Sequence, residues 1–483
     1  MWQSLRLVTR ALREKAVLRK QPEEIAAFQQ QRLRSLTAWA KERSPYHAER
    51  LRHVNPDRFE LSDVPALTKP EMMRNFDRLV TDRQLRLAEL EEFVREPARL
   101  GRWYLGEFAP SRTSGTQGLK AMIVQDRGMM ELLFAVQMVR GFTIPCSPAS
   151  MMTHLFTKVR LAVLTIGRGF YPSASMLAYA PAATNTFVQR LWIRRLEPLA
   201  EVVDQLNRFR PNILLAYANV LELLAREKLA GRLRVCRDES LKQIVNMSEP
   251  LSDAACRLVG EAFRVPVTNN YALGECMALT TGCPQGHGMH VNADWVVLEV
   301  TDRRNHPIEP GKPGEKVLIT NLYNRVQPFL RYEVEDVVTM SPTPCPCGSP
   351  LPLILKVEGR NDETVWVRAN GQFRQVHPYV FVDVLDECPE IGFYQIVQVE
   401  RNHFLLRAAP APGRQITRDA VQEQMRRGLE RFGLADVIQL DVEIAPDVAP
   451  DGQSGKLKRI TSRVGPPEEA QRDSRASAHA VRQ

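Results

Sequence analysis

Ser111-Arg-Thr-Ser-Gly-Thr-Gln-Gly-Leu-Lys120 is the stretch on which the fold turns. Gly115 and Gly118 let the backbone curl and expose N–H groups, and the hydroxyls of Thr113, Ser114 and Thr116 add donors. Small donors ending in a lysine, here Lys120, are what a chain of phosphates needs. The Gly-x4-Gly-Lys-Ser/Thr spacing of the Walker loop is absent. Taken alone, a Ser/Thr/Gly cluster is more often a plain surface loop, so its surroundings must decide.

Downstream of the loop the chain alternates. Helical patterns over 126–140 and 252–263 are interleaved with short apolar runs at Leu161–Ile166, Asn212–Leu215 and Val265–Asn269. Such alternation predicts an α/β fold with substantial parallel sheet. From about 291 strands dominate (Trp295–Val300, Glu315–Asn321). After Gly359 the pattern becomes α+β. There Asn370-Gly371 marks a hairpin between Thr364–Arg368 and Gln372–Val376, because both positions tolerate positive φ. A strand pair flanks Arg401-Asn402, a helix is expected at about 417–432 and a strand at Val437–Ile444.

Upstream, Pro22 to about Leu51 reads as helix, broken at Ser44-Pro45 because the residue before proline disfavours helix. Residues 1–21 form a basic helix with Leu5, Val8, Leu12 and Ala16 at helical spacing. A membrane-surface helix is one reading; a helix docked on its own domain is the expected one. These patterns divide the chain into the basic helix 1–21, a large domain 22–359, a small domain 360–464 and a polar, disordered tail 465–483.

Composition sets the outer limits. At 483 residues the chain has room for two to four structural units. Apolar residues at 44% and charged residues at 25% are globular values. No uninterrupted apolar run reaches the ~18 residues that suggest a spanning helix. A net charge of +9 suits anionic small ligands as readily as nucleic acid. Nucleic-acid binding would further require a basic stripe interleaved with aromatics, which is missing, so no nucleic-acid partner is expected. Eight cysteines without a secretory leader pattern argue for a reducing cytoplasm.

Read in order, five segments resemble the adenylate-forming superfamily of acyl-CoA synthetases, in its phenylacetate–CoA ligase-like branch. They are Thr113-Ser-Gly-Thr-Gln-Gly-Leu-Lys120, Tyr271-Ala-Leu-Gly-Glu275, Arg331-Tyr-Glu-Val-Glu-Asp336, Gly359-Arg-Asn-Asp362 and Gly455-Lys456. The resemblance implies a large N-terminal α/β domain and a small mobile C-terminal α+β domain. It also implies roles: the 113–120 loop on the ATP phosphates, Tyr271 on adenine, Glu275 on Mg²⁺, and Asp336 on the ribose with Arg360 in support. Asp362 would be the hinge, and Lys456 would bridge the substrate carboxylate and the α-phosphate. The implied reaction activates a carboxylic acid (an aromatic or arylacetic acid as first expectation) to acyl-AMP and passes the acyl group to CoA. An amine, protein thiol or carrier domain remains open as acceptor, as does a catalytically silent protein that keeps the fold; a homodimer is also left open. The residue types suit the chemistry, since attack of one anion on another needs charge neutralised on both.

The motifs also depart from the family pattern. Gln117 replaces a usual Thr, Gly274 a usual Thr before the glutamate, and Glu335 a usual Gly beside Asp336.

A second constellation is Cys283-Pro-Gln-Gly-His287-Gly-Met-His290 followed by Cys345-Pro-Cys347-Gly348. Cysteines one residue apart before a glycine form a knuckle able to aim both thiolates at one ion. With Cys283 and one imidazole they make a set suited to tetrahedral structural Zn²⁺. His290 is the expected fourth ligand, His287 its competitor, and free thiols in turns the alternative. The remaining cysteines, Cys146, Cys236, Cys256, Cys276 and Cys388, read as buried small hydrophobes.

Overall fold

The computed structural model describes residues 2–113, 119–142, 153, 156–165, 169–194, 198–235, 240–247, 251, 253–359, 365–369, 371–376, 379–386, 388, 390–411, 413–446 and 460–465. The chain divides into two compact units, Met1–Thr113 with Ala121–Gly359, and Ser114–Lys120 with Arg360–Gln483.

At the centre of the first unit is a five-stranded parallel sheet. Its strands run in the spatial order Val188–Arg194, Val159–Thr165, Ile213–Ala216, Gln243–Met247 and Val267–Asn270. Ile213–Ala216 and Gln243–Met247 are buried at every position; Ile213–Ala216 accordingly reads as a continuous apolar run and not as alternation, whereas Gln243 and Asn246 interrupt the other strand. Chain order reverses between Val159–Thr165 and Ile213–Ala216. In open α/β sheets ligands gather at the carboxyl ends of the strands beside such a reversal.

Two antiparallel sheets complete this unit: Val296–Thr301, Lys316–Asn321 and Phe329–Val334; and Val337–Met340, Leu353–Gly359, Met289–Val291 and Thr280–Gly282. A separate two-stranded ribbon pairs Phe108–Arg112 with Met122–Asp126. The main core runs beneath these sheets through Phe76, Ile123, Phe170, Phe329 and Ile354.

The N-terminal helix, Trp2–Val17, packs on the unit's own helix Arg127–Val136. Its buried face is Leu7, Ala11, Glu14 and Val17, whereas Leu5 and Leu12 are exposed. The Leu5/Val8/Leu12/Ala16 stripe is therefore not the docking face. A buried charge network overrides the apolar pattern. Arg140 donates to both Asp294 carboxylate oxygens (2.7 and 2.9 Å) and to Glu14 Oε2 (3.1 Å). The Trp295 indole donates to Glu14 Oε2 at 2.7 Å. The helix Pro22–Arg43 stops before Ser44, whose hydroxyl accepts the His47 N–H and caps a second helix, Pro45–Arg50.

In the second unit, Gln439–Ile444, His403–Pro410, Ile391–Gln398 and Ile460–Ser462 form a four-stranded mixed sheet. The helices Tyr379–Asp386 and Arg418–Arg431 and the hairpin Val365–Ala369/Gln372–Val376 accompany it. Their shared core includes Val367, Phe381, Phe404, Leu406 and Met425.

Candidate functional site

The phosphate-type loop springs from the ribbon of the first unit. Thr113 continues the ladder past its last strand pair: its N–H donates to the Ala121 carbonyl at 3.0 Å, and its hydroxyl accepts the Ala121 N–H at 2.9 Å. These bonds clamp the base of the loop. Lys120 is half-buried. Ser114, Gly115, Thr116, Gln117 and Gly118 lie outside the described residues, as do Arg360, Asp362 and Lys456.

Tyr271 follows the last strand of the parallel sheet, at its carboxyl end. Its backbone is pinned twice by Thr280, which accepts its N–H (2.9 Å) and donates to its carbonyl (2.8 Å). The Tyr271 hydroxyl donates to Asp336 Oδ2 at 2.7 Å. Two of the motif residues are thus brought together. Asp336 is buried, and Glu335 beside it is exposed, so the second negative charge of that motif faces water.

The chain next closes a tight turn, in which Leu273 and Cys276 exchange backbone hydrogen bonds of 3.3 and 3.0 Å. Gly274 and Glu275 sit within it. A Cβ at Gly274 would stand 2.9 Å from Pro172 Cγ and 3.2 Å from Thr113 Cγ2. The glycine found where a threonine is usual is therefore a close approach between this turn and the end of the ribbon. Glu275 is buried, and its Oε1 accepts the Tyr332 hydroxyl at 2.7 Å. Its backbone carbonyl accepts from Asn321 Nδ2 at 2.8 Å.

The motif Arg331–Asp336 thus faces the site through more than its aspartate. Arg331 has a positive φ of 52°, which is strained for a residue with a Cβ. It is over-determined by bonds: its N–H to Thr320 Oγ1 (3.0 Å), its guanidinium to both Glu299 oxygens (3.0 and 3.1 Å), and the Val64 carbonyl (2.8 Å). Arg331 is a scaffold residue that sets the strand so that Tyr332 reaches Glu275. Reading the chain alone assigned Tyr332 no role. The only signal was its place between two assigned motif residues.

The Cys/His set lies on the four-stranded sheet of the same unit. The ligand atoms of Cys283, His290, Cys345 and Cys347 all lie within 4.8 Å of one another. Cys283 Sγ is 3.7 Å from Cys345 Sγ, and Cys347 Sγ is 3.3 Å from His290 Nε2. Thiolates bound at about 2.3 Å around a tetrahedral centre stand roughly 3.8 Å apart, so the donor set fits zinc. The other imidazole nitrogen, Nδ1, contacts the Leu351 carbonyl at 3.3 Å, an outer contact that orients the ring. Gly348 holds φ at +81° and returns its N–H to the Cys345 carbonyl (3.1 Å), which forms the knuckle. His287 is exposed and turned to Gln285, apart from the cluster. Burial pushes the Cys347 thiol up to about 12 and holds His290 below its ordinary value. Of the cysteines expected to be buried, Cys276 is; Cys256 and Cys388 are only half-buried. Cys146 and Cys236 lie outside the described residues.

Comparison with known proteins extends the resemblance over nearly the whole chain. A phenylacetate–coenzyme A ligase of Thermus thermophilus is 24% identical over 471 residues, covering 91% of this chain and 96% of its own. Protein CapK of Staphylococcus aureus is 26% identical over 183 residues, 36% of this chain and 37% of its own. The crystal structure of 2-hydroxyisobutyryl-CoA ligase with 2-HIB-AMP and CoA, in the thioesterification state, superimposes with a TM-score of 0.61. It covers 94% of this chain and 92% of that one at 18% identity. No family model matches the chain. No helix among the described residues is long and apolar enough to cross a membrane.

Proposed function

We propose that this chain, which has the fold of the adenylate-forming ligases, activates a carboxylic acid with ATP to an acyl-adenylate and transfers the acyl group to CoA. The observation that carries the reading is the Tyr271–Asp336 hydrogen bond of 2.7 Å. It joins two motifs distant in the chain at the carboxyl edge of a parallel sheet, where nucleotide sites form.

In this reading Asp336 accepts from the ribose hydroxyls, since an ionised carboxylate only accepts. Tyr271 offers its ring to adenine. Glu275, with Oε1 held by Tyr332, keeps Oε2 for Mg²⁺, which would neutralise charge on the phosphates. The 113–120 loop offers phosphate donors, and Lys456 supplies the cation between the carboxylate and the α-phosphate. Asp362 serves as the hinge through which the small unit changes partner surfaces between the two half-reactions. Such closure keeps water from a hydrolysable mixed anhydride.

Cys283, His290, Cys345 and Cys347 hold a structural Zn²⁺ in this account, a closed four-ligand site that ties the knuckle to the sheet. An aromatic or arylacetic acid is the first substrate to test, in a cytoplasmic setting.

The test is pyrophosphate release from ATP across a panel of aromatic, arylacetic and short aliphatic acids, followed by product analysis with CoA, amines and carrier protein. Acid-dependent release with thioester formation only with CoA is expected. Release with an amide or a carrier-bound product would reassign the acceptor. No release with any acid, from protein that binds ATP, would leave a silent binding protein.

A further inference from the structure

Docking of the N-terminal helix leaves its apolar stripe uncovered. Leu7, Ala11, Glu14 and Val17 are buried against the unit, and Leu7 and Ala11 cluster there with Ala135 and Ala183. On the other side Leu5 is 57% and Leu12 38% exposed, and Ala16 is exposed as well. Spacings of seven and four residues set these three on one stripe along the helix. Arg140, bonded to both Glu14 and Asp294, holds the helix by its buried face, so the stripe is presented preformed. A lone exposed leucine needs no explanation; two on one stripe bordered by cations do.

The border is basic. Arg6 and Arg13 each follow one of the two leucines, and Arg19 lies in the turn after the helix; all three are exposed. Glu14 is the helix's sole acidic residue, and it is buried. Of the acids nearby, Glu131 pairs with Arg6 and Glu24 with Lys20, both at 2.8 Å, and Glu23 is exposed. Arg13 and Arg19 are in no ion pair among the described residues.

We propose that this outer face rests on a bilayer surface that carries anionic lipid. An apolar stripe bordered by Lys and Arg sinks into the boundary between headgroups and acyl chains, while the cations meet the lipid charges. Two leucines give only shallow insertion, so the binding is peripheral, reversible and dependent on charge. Other occupants fit less well. A second copy across a two-fold axis would set like charges against like. Nucleic-acid phosphates would answer the arginines but not the leucines. A protein partner of standard size needs roughly 800 Å² of surface, several times what one face of a 16-residue helix, about 24 Å long, offers. The proposal stands on the two faces of this helix and not on the ligase reading.

Flotation of the full chain with vesicles of phosphatidylcholine, alone and mixed with phosphatidylglycerol, tests this in the wild type, R13Q/R19Q and L5S/L12S. Melting temperature serves as the control for folding, since all four side chains are exposed. The wild type should float with the mixed vesicles at low salt, more weakly at high salt, and not with phosphatidylcholine alone. R13Q/R19Q should bind roughly 25-fold more weakly, at about fivefold for each cation lost near the surface. L5S/L12S should bind about tenfold more weakly. No binding by the wild type, equal binding to both kinds of vesicle, or wild-type affinity in either double variant would overturn the proposal. So would a dimer, seen by sedimentation velocity without lipid, that L5S/L12S loses, because the stripe would then belong to a second copy.

Discussion

At the residue scale, the account depends on carboxylates held by neighbours far away in sequence. Glu275 takes its orientation from the Tyr332 hydroxyl at 2.7 Å. Tyr332→Phe removes the donor from a buried, charged acceptor, a loss of about 1.5–3 kcal/mol where the bond is made. We expect KM for Mg·ATP to rise about tenfold, with a steeper Mg²⁺ requirement and kcat less affected. An unchanged Mg²⁺ titration would remove Tyr332 from this role. Gly274→Thr restores the usual residue yet should destabilise the protein by about 1–3 kcal/mol through overpacking on Pro172 and Thr113. A melting temperature equal to wild type would contradict the close approach. Glu275 and Asp336 were singled out in the chain only through the family resemblance of the motifs that carry them. Tyr332 was not, because a hydroxyl reaching a carboxylate 57 residues away is a tertiary contact. Gly274 looked like a defect from the sequence, and only its neighbours explain it.

At the element scale, short apolar runs were legible as parallel strands: the expected Leu161–Ile166, Asn212–Leu215 and Val265–Asn269 appear as Val159–Thr165, Ile213–Ala216 and Val267–Asn270, whereas Gln243–Met247, interrupted by Gln243 and Asn246, went unread. Short antiparallel strands such as Thr280–Gly282 and Met289–Val291 carry too few residues for a period to show, and went unread. The N-terminal helix was legible as helix but not in its facing, because its buried face sets the charged Glu14 beside Leu7, Ala11 and Val17. Arg140→Ala should cost about 3–5 kcal/mol in denaturant unfolding, since it strands the buried Asp294 and Glu14 carboxylates. Arg6→Ala, removing an exposed guanidinium that pairs with Glu131, should cost no more than about 1 kcal/mol. Equal effects would refute a buried anchor. The four-ligand cluster on the small sheet predicts about one equivalent of zinc in protein purified without added metal. Cys345→Ser should lose it with a lowered melting temperature, and metal-free wild type of full stability would reject the site.

At the scale of the whole molecule, the claim is a division of labour: the larger unit holds the nucleotide, and the smaller brings Lys456 for the first half-reaction and leaves for the second. Asp362→Pro, fixing φ at the hinge, should spare pyrophosphate release and impair thioester formation; loss of neither would count against rotation. The most direct measurement is the pair of half-reactions in Lys456→Ala. Acid-dependent pyrophosphate release should be abolished while thioester formation from supplied acyl-AMP and CoA persists. Release at the wild-type rate, or equal loss of both half-reactions in folded protein, would contradict the account.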